Sequence, residues 1–159
     1  MVIKGQNLNP KGRLKMTSKA VETIVCPKCR FRQDTELYET INAVEDPELV
    51  DRLFAREINV FTCVRCGHKA KVEAPLLFSD LKTEVKIQYF PAIWLDENPA
   101  GFCQHYREMK AQLKAFQADF GFMAKSIREQ EIRVVFSMEE MIAQIKFKRH
   151  PRERSQARS

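Results

Sequence analysis

The chain has 159 residues, of which 44% are hydrophobic and 30% charged, as expected for a soluble globular domain with an ordinary core. No apolar run approaches the roughly 20 residues that a membrane helix needs. The basic N-terminus also lacks the apolar segment of a secretory signal. We therefore expect a cytoplasmic protein with reduced thiols and no membrane partner.

The formal net charge of +6 comes from the two ends of the chain. Residues 1–20 contain Lys and Arg but no acid, and they predict a flexible basic arm, within which Met16 is a second candidate start. Residues 148–159 are polar and rich in Arg, and they predict a disordered basic tail. The folded domain is expected over residues 21–147. Because the positive excess lies outside it, the charge does not show that this domain binds nucleic acid.

The first half of the chain predicts strands around one helix. Alternating apolar and polar residues favour strands at 21–25, 35–44 and 58–62. The sequence Asp46-Pro47-Glu48 is typical of a helix start with Asp46 as the N-cap, and it predicts a helix over residues 47–55.

The second half predicts further strands at 70–74, 76–79, 84–90 and 133–136. Residues 91–101 contain two prolines and a glycine, and we expect a connector there. Ser137 followed by Glu140 is a capping box, which predicts a C-terminal helix that ends near Phe147.

The longest helical signal runs from Phe102 to Lys125. Its apolar residues recur at alternating intervals of four and three, which places them in one stripe on an amphipathic helix: Phe102, Tyr106, Met109, Leu113, Phe116, Phe120, Met123 and Ile127. The stripe either packs on the domain's own sheet or pairs with a protein partner or a second copy of the chain.

Four of the five cysteines form two Cys-x-x-Cys turns, and they are the strongest functional signal in the sequence: Cys26, Cys29, Cys63 and Cys66. Two such turns supply the four thiolates of a tetrahedral Zn²⁺ site. A four-thiolate site has no open position for water, so it argues for a structural metal and against an enzyme. An iron–sulfur cluster is the alternative, whereas a thioredoxin-like redox pair would need a βαβ context that the sequence lacks.

The residue after each turn is expected to adopt a left-handed backbone, which favours glycine. Gly67 fits this position, but Arg30 occupies it in the first turn, so we expect that turn to be slightly strained or otherwise accommodated. His68 could replace one thiolate, although a residue there more often faces solvent. Cys103 and His105 are two positions apart on the long helix and therefore make a poor metal pair.

The order of several segments resembles the CpXC domain family of bacteria and archaea. These segments are Cys26-Pro27-Lys28-Cys29, Asp46-Pro47-Glu48, Cys63-Val64-Arg65-Cys66-Gly67, Ala74-Pro75-Leu76-Leu77-Phe78-Ser79-Asp80, and Arg133-Val134-Val135-Phe136-Ser137 leading into Glu140-Met141-Ile142. The resemblance covers roughly residues 21–147 and implies a zinc-ribbon-like domain in a family without an assigned activity. The chain departs from the family pattern at Arg30, where Gly is expected, and at Val64, where Pro is expected.

We therefore predict an α+β fold: a zinc-ribbon-like antiparallel sheet with an inserted helix, a long amphipathic helix and a C-terminal helix. The predicted function is that of a zinc-stabilised binding or adaptor module that docks on a protein or ribonucleoprotein partner. The alternative is direct binding of RNA or DNA by the basic ends together with the basic residues of the zinc turns: Lys28, Arg30, Arg32, Arg65 and Lys69.

Overall fold

A computed structural model describes residues 17–119 and 132–150 of the chain. In these residues it has seven strands: β1 Ser18–Val25, β2 Arg32–Asn42, β3 Val60–Thr62, β4 Lys69–Lys71, β5 Leu76–Asp80, β6 Val85–Tyr89 and β7 Arg133–Val135. It also has four helices: α1 Glu48–Phe54, α2 Ile93–Glu97, α3 Pro99–Asp119 and α4 Met138–Arg149. The predicted α+β class is confirmed, and each predicted strand has a counterpart.

Five strands form a sheet in the order β1-β2-β5-β6-β7, and β3 and β4 form a separate two-stranded sheet. The predicted antiparallel pairing holds for β1 with β2 and for β3 with β4. However, β2 pairs with β5 in parallel, as does β6 with β7, so the larger sheet is mixed. Long connections make these parallel pairs feasible, because parallel strands cannot be joined by a tight turn.

The chain divides into two compact units between Lys82 and Thr83. In the first unit, the apolar faces of α1, β2 and β5 are buried: Leu37, Ile41, Leu49, Val50, Leu53, Leu76 and Phe78.

The N-cap of α1 lies one residue after the predicted position. Pro47 is the N-cap, without a side-chain hydrogen bond, and Asp46 contributes its backbone carbonyl to the N–H of Leu49 at 3.1 Å.

The boundaries of the predicted arm and tail differ from the observed elements. Strand β1 begins at Ser18 because its residues pair with β2, and the Thr17 hydroxyl accepts a hydrogen bond from the Asn42 N–H at 3.0 Å. At the other end, α4 continues to Arg149. The rest of the predicted arm and tail, 1–16 and 151–159, lies outside the described residues.

The second unit contains two helices where the sequence predicted a connector over residues 91–101. The short helix α2 begins with a bond from the Trp94 N–H to the Pro91 carbonyl at 3.0 Å. The long helix starts at Pro99, and the Asn98 side chain accepts a hydrogen bond from the Gly101 N–H at 3.0 Å. Proline is tolerated at a helix start because its missing N–H has no helical partner there.

The long helix contacts its own unit through the first residue of the predicted stripe. The Phe102 ring lies edge-on to Phe90 at 5.0 Å and 5.9 Å from Phe136. The predicted helix is observed as far as Asp119, and residues 120–125 lie outside the described part of the chain. None of the described helices is both long and apolar enough to cross a membrane.

The predicted capping of the last helix is confirmed. The Ser137 hydroxyl accepts a hydrogen bond from the Glu140 N–H at 3.1 Å, and α4 follows directly. Its buried residues recur at helical spacing, which gives the second unit an apolar face: Met138, Met141, Ile142 and Ile145.

Candidate metal centre

The two Cys-x-x-Cys turns have the same backbone hydrogen bonds. In the first turn, the carbonyl of Cys26 accepts a hydrogen bond from the Arg30 N–H at 2.9 Å, and its N–H donates to the Phe31 carbonyl at 2.8 Å. In the second, the carbonyl of Cys63 accepts from the Gly67 N–H at 2.8 Å, and its N–H donates to His68 at 2.9 Å. Each turn therefore folds back on its first cysteine, so that both of its sulfurs face the same side.

Arg30 and Gly67 occupy equivalent positions and both have a left-handed backbone, with φ of 60° and 70°. The predicted strain at Arg30 is therefore present, because a residue with a Cβ pays roughly 1 kcal/mol or more for this conformation. The hydrogen bond from its N–H to Cys26 holds it there.

The structure brings the four cysteine sulfurs within 4.8 Å of one another. The Cys26 and Cys66 sulfurs are 3.7 Å apart, and those of Cys29 and Cys63 are 3.6 Å apart. Four sulfurs at the zinc–sulfur distance of roughly 2.3 Å in a tetrahedron would lie about 3.8 Å apart. A disulfide would bring two sulfurs to about 2.05 Å. The spacing therefore fits one tetrahedral ion and no disulfide.

A small apolar core supports the cysteines. Cys26, Cys63 and Phe61 are buried together, and half-buried side chains from β1, the first turn and the segment around β4 pack against them: Ile24, Cys29, Phe31, Ala70 and Val72. Cys66 lies at the surface. Cys26 and Cys63 are thus packed within an apolar core, while the side of the centre that carries Cys66 is exposed to solvent.

The side chain of Gln33, near the start of β2, forms hydrogen bonds to the second turn. Its amide donates to the Thr62 carbonyl at 3.0 Å, and its carbonyl oxygen accepts from the Val64 N–H at 2.9 Å. These two bonds flank Cys63 on both sides. They therefore tie the second turn directly to β2.

Asn59 forms a similar connection at the start of the second turn's strand. Its side-chain oxygen accepts from the Tyr38 N–H at 2.7 Å, and its amide donates to the Tyr38 carbonyl at 3.0 Å. Its own carbonyl accepts from the Val72 N–H at 2.8 Å, and its φ is 56°. The Asn59 side chain thus forms with Tyr38 the two hydrogen bonds that the backbone of a neighbouring strand would otherwise form with β2. Sequence reasoning missed both Asn59 and Gln33, because a single amide side chain carries no periodic signal.

The thiols of the cluster differ in acidity. The Phe31 N–H lowers the pKa of Cys29, but burial and the neighbouring thiols outweigh it and raise that pKa to about 11. Burial raises the pKa of Cys63, but the N–H groups of Cys66 and Arg65 and two neighbouring thiols lower it to about 7. Crowded thiols cannot all ionise unless a cation compensates their charge.

We expect metal affinity to fall as pH falls. A metal binds thiolates, so an ion must displace the proton that Cys29, with a pKa of about 11, holds at neutral pH. At least one proton is then released for each ion bound, and the apparent affinity should drop at least tenfold per pH unit from pH 8.5 to 6.5. Competition with a chelator of known pH dependence measures this, and an affinity independent of pH would contradict the thiolate ligand set.

The other cysteine and the two histidines weighed as ligands in the sequence are not part of the cluster. The His68 carbonyl accepts a hydrogen bond from the Cys63 N–H, and the His68 side chain does not belong to the cluster of four cysteine side chains that could hold a metal. The His105 ring packs edge-on against Phe90 at 5.9 Å and Trp94 at 6.0 Å. Cys103 is exposed. Within residues 17–119 and 132–150, the candidate centre therefore consists of the four cysteines.

The five basic residues predicted as nucleic-acid contacts are all exposed around these turns: Lys28, Arg30, Arg32, Arg65 and Lys69. Lys28 and Arg65 lie inside the two turns, and Arg30 follows the first. Arg32 begins β2, opposite Val25, and Lys69 begins β4, opposite Thr62. Because the four sulfurs meet, these residues belong to one end of the first unit.

Comparison with known proteins identifies the family of the chain. No curated protein and no solved structure matches it. A family model described as "CpXC protein" matches residues 24–150, which include both cysteine turns and extend to the end of the last helix. This match covers most of the 159 residues, in agreement with the resemblance seen in the sequence. The chain therefore belongs to the CpXC protein family.

Proposed function

We propose that the chain is a zinc-stabilised binding module rather than an enzyme. The observation that carries this proposal is the closed set of four cysteine sulfurs within 4.8 Å of one another. Cys26, Cys29, Cys63 and Cys66 would hold Zn²⁺, which would supply structural stability by joining the two turns. Four thiolates around one divalent ion carry a net charge of −2, so the ion would be a poor Lewis acid. An iron–sulfur cluster is the alternative occupant, and metal analysis with an absorption spectrum distinguishes them.

The module would dock on a protein or ribonucleoprotein partner, or on a second copy of the chain, through the apolar stripe of the long helix. Phe102 contacts rings of its own unit, whereas Met109 is only half-buried, and the sequence continues the stripe beyond it. The alternating intervals of four and three are typical of helices that pair with another helix.

A pair of substitutions tests this docking surface. Met109→Lys places a charge in the stripe, while Ala111→Lys places the same charge at an exposed position two residues away. We expect Met109→Lys to abolish partner capture and self-association, because an unpaired charge is costly in an apolar interface, and Ala111→Lys to leave both unchanged. Affinity capture from the native cell and light scattering measure the two outcomes. Equal capture by both variants, or a monomer without partners, would contradict docking through the stripe.

Direct nucleic-acid binding is the second candidate function. It is supported by the exposure of all five basic residues around the cysteine turns. The basic residues in the end segments 1–16 and 151–159 would add to it. Its general test is binding of a labelled oligonucleotide by the full chain at low salt.

A further inference from the structure

The two cysteine turns present basic side chains at equivalent positions. The shared hydrogen-bond pattern aligns Cys26 with Cys63 and Phe31 with His68, an offset of 37 residues between the turns. With this offset, Lys28 corresponds to Arg65, and Arg32 corresponds to Lys69. The metal centre is therefore flanked by two equivalent pairs of cations, and Arg30 adds a fifth.

The charge of these residues exceeds what the metal centre requires. Five positive charges face a thiolate–zinc centre of net charge −2, which leaves an excess of three. Segments 26–33 and 58–72 contain no acidic residue, and the nearest acid along the first is Asp34, which accepts a hydrogen bond from Thr23 at 2.7 Å. In the part of the chain that the structure describes, none of the five side chains pairs with a carboxylate.

The surface around the turns offers charge but no aromatic platform. Phe61 is buried, and Phe31 packs against the core beneath the cysteines. Stacking of nucleic-acid bases requires exposed aromatic faces. The composition of this surface therefore favours contacts to phosphates over contacts to bases.

We propose that Lys28, Arg30, Arg32, Arg65 and Lys69 form a surface that binds the phosphate backbone of a nucleic acid without reading its sequence. This inference rests on the second candidate function and specifies which part of the nucleic acid its residues bind. Each pair has one member on the first cysteine segment and one on the second, so a metal that joins the two segments would hold the cations in place for successive phosphates. Three of the five are arginines, whose planar guanidinium groups can bind phosphate oxygens bidentately.

The test compares two double variants of the full zinc-loaded chain. Lys28→Gln with Arg65→Gln removes one equivalent pair, and Lys82→Gln with Lys114→Gln removes the same charge from exposed residues elsewhere. Each phosphate contact contributes about 0.7 to 0.9 to the slope of log affinity against log salt concentration. We therefore expect the first variant to reduce this slope by about 1.4 to 1.8 and to weaken binding on the order of 50- to 200-fold at 50 mM salt. The control variant should bind like the unaltered chain.

The probes are fluorescent 20-nucleotide strands of two unrelated sequences, with poly-glutamate as an acidic competitor. Equal affinity for both strands is expected, and a preference of more than tenfold would overturn backbone recognition. If the unaltered chain does not bind either strand at 50 mM salt, nucleic-acid binding itself fails. If it binds but both double variants show the same slope as the unaltered chain, the assigned surface is wrong and the ends of the chain carry the contacts.

Two further results keep the test decisive. Zinc content and circular dichroism must match among the chains compared. If the first variant does not fold, Arg32→Gln with Lys69→Gln takes its place, with the same expected loss of affinity and of salt slope. Displacement of the strands by poly-glutamate at equal charge concentration would overturn the choice of nucleic acid over an acidic protein.

Discussion

Cys26→Ser is expected to lose the bound metal and to unfold the region around both cysteine turns. Cys26 is fully buried, and its sulfur lies 3.7 Å from that of Cys66, so a hydroxyl in its place removes one ligand and leaves a polar group in an apolar core. Structural zinc supplies on the order of 10 kcal/mol of folding free energy in small domains. The measurement is metal content by elemental analysis, together with the thermal unfolding midpoint with and without added zinc.

Cys103→Ser is the matched control for this prediction. Cys103 is exposed and lies outside the group of clustered cysteines, so the same chemical change should leave metal content and unfolding midpoint unaltered. One zinc per chain in both Cys26→Ser and the unaltered protein would show that the ligands are assigned wrongly. Loss of zinc from Cys103→Ser would show the same.

Asn59→Ala should destabilise the first unit by about 2–4 kcal/mol, the second-largest effect we expect. Asn59 is buried, and its side chain satisfies both the N–H and the carbonyl of Tyr38. Its removal leaves two backbone groups without their partner, which typically costs about 1–3 kcal/mol each when water cannot reach them. Chemical denaturation of the zinc-loaded chain measures the loss.

Asn59→Gly separates the hydrogen bonds from the backbone conformation. The φ of 56° suits glycine, so this variant loses the two hydrogen bonds to Tyr38 but not the left-handed conformation. We expect it to lose slightly less stability than Asn59→Ala. If Asn59→Gly is as stable as the unaltered chain, the amide contributes nothing and only the backbone conformation matters.

The candidate metal ligands could be predicted from the sequence because their chemistry is local. A Cys-x-x-Cys turn brings its own two sulfurs together wherever it lies in a fold. The helix start at Ser137 and the alternation that produces β2 and β6 are local in the same way, and all have counterparts in the structure. Even the unusual backbone at Arg30 could be expected, since the turn requires a left-handed residue there and the sequence supplies no glycine.

The short helix α2 shows where local signals misled. Two prolines and a glycine in residues 91–101 predicted a connector, yet α2 and the start of α3 lie there. Proline breaks a helix only after its first turn, so the same residues are compatible with two helix starts. The backbone bonds to Pro91 and the Asn98 cap decide between these readings, and they are visible only in the folded chain.

The sequence by itself determined the four thiols, the basic residues around them and the α+β class, because each depends on neighbours within a few positions. Only the tertiary structure decided which sulfurs approach each other, with Cys26 near Cys66 and Cys29 near Cys63. It also decided that β2 pairs in parallel with β5 and that Asn59 bonds to Tyr38. These contacts join residues 21 to 40 positions apart, and their geometry is set by the packing of whole elements, which no local pattern records.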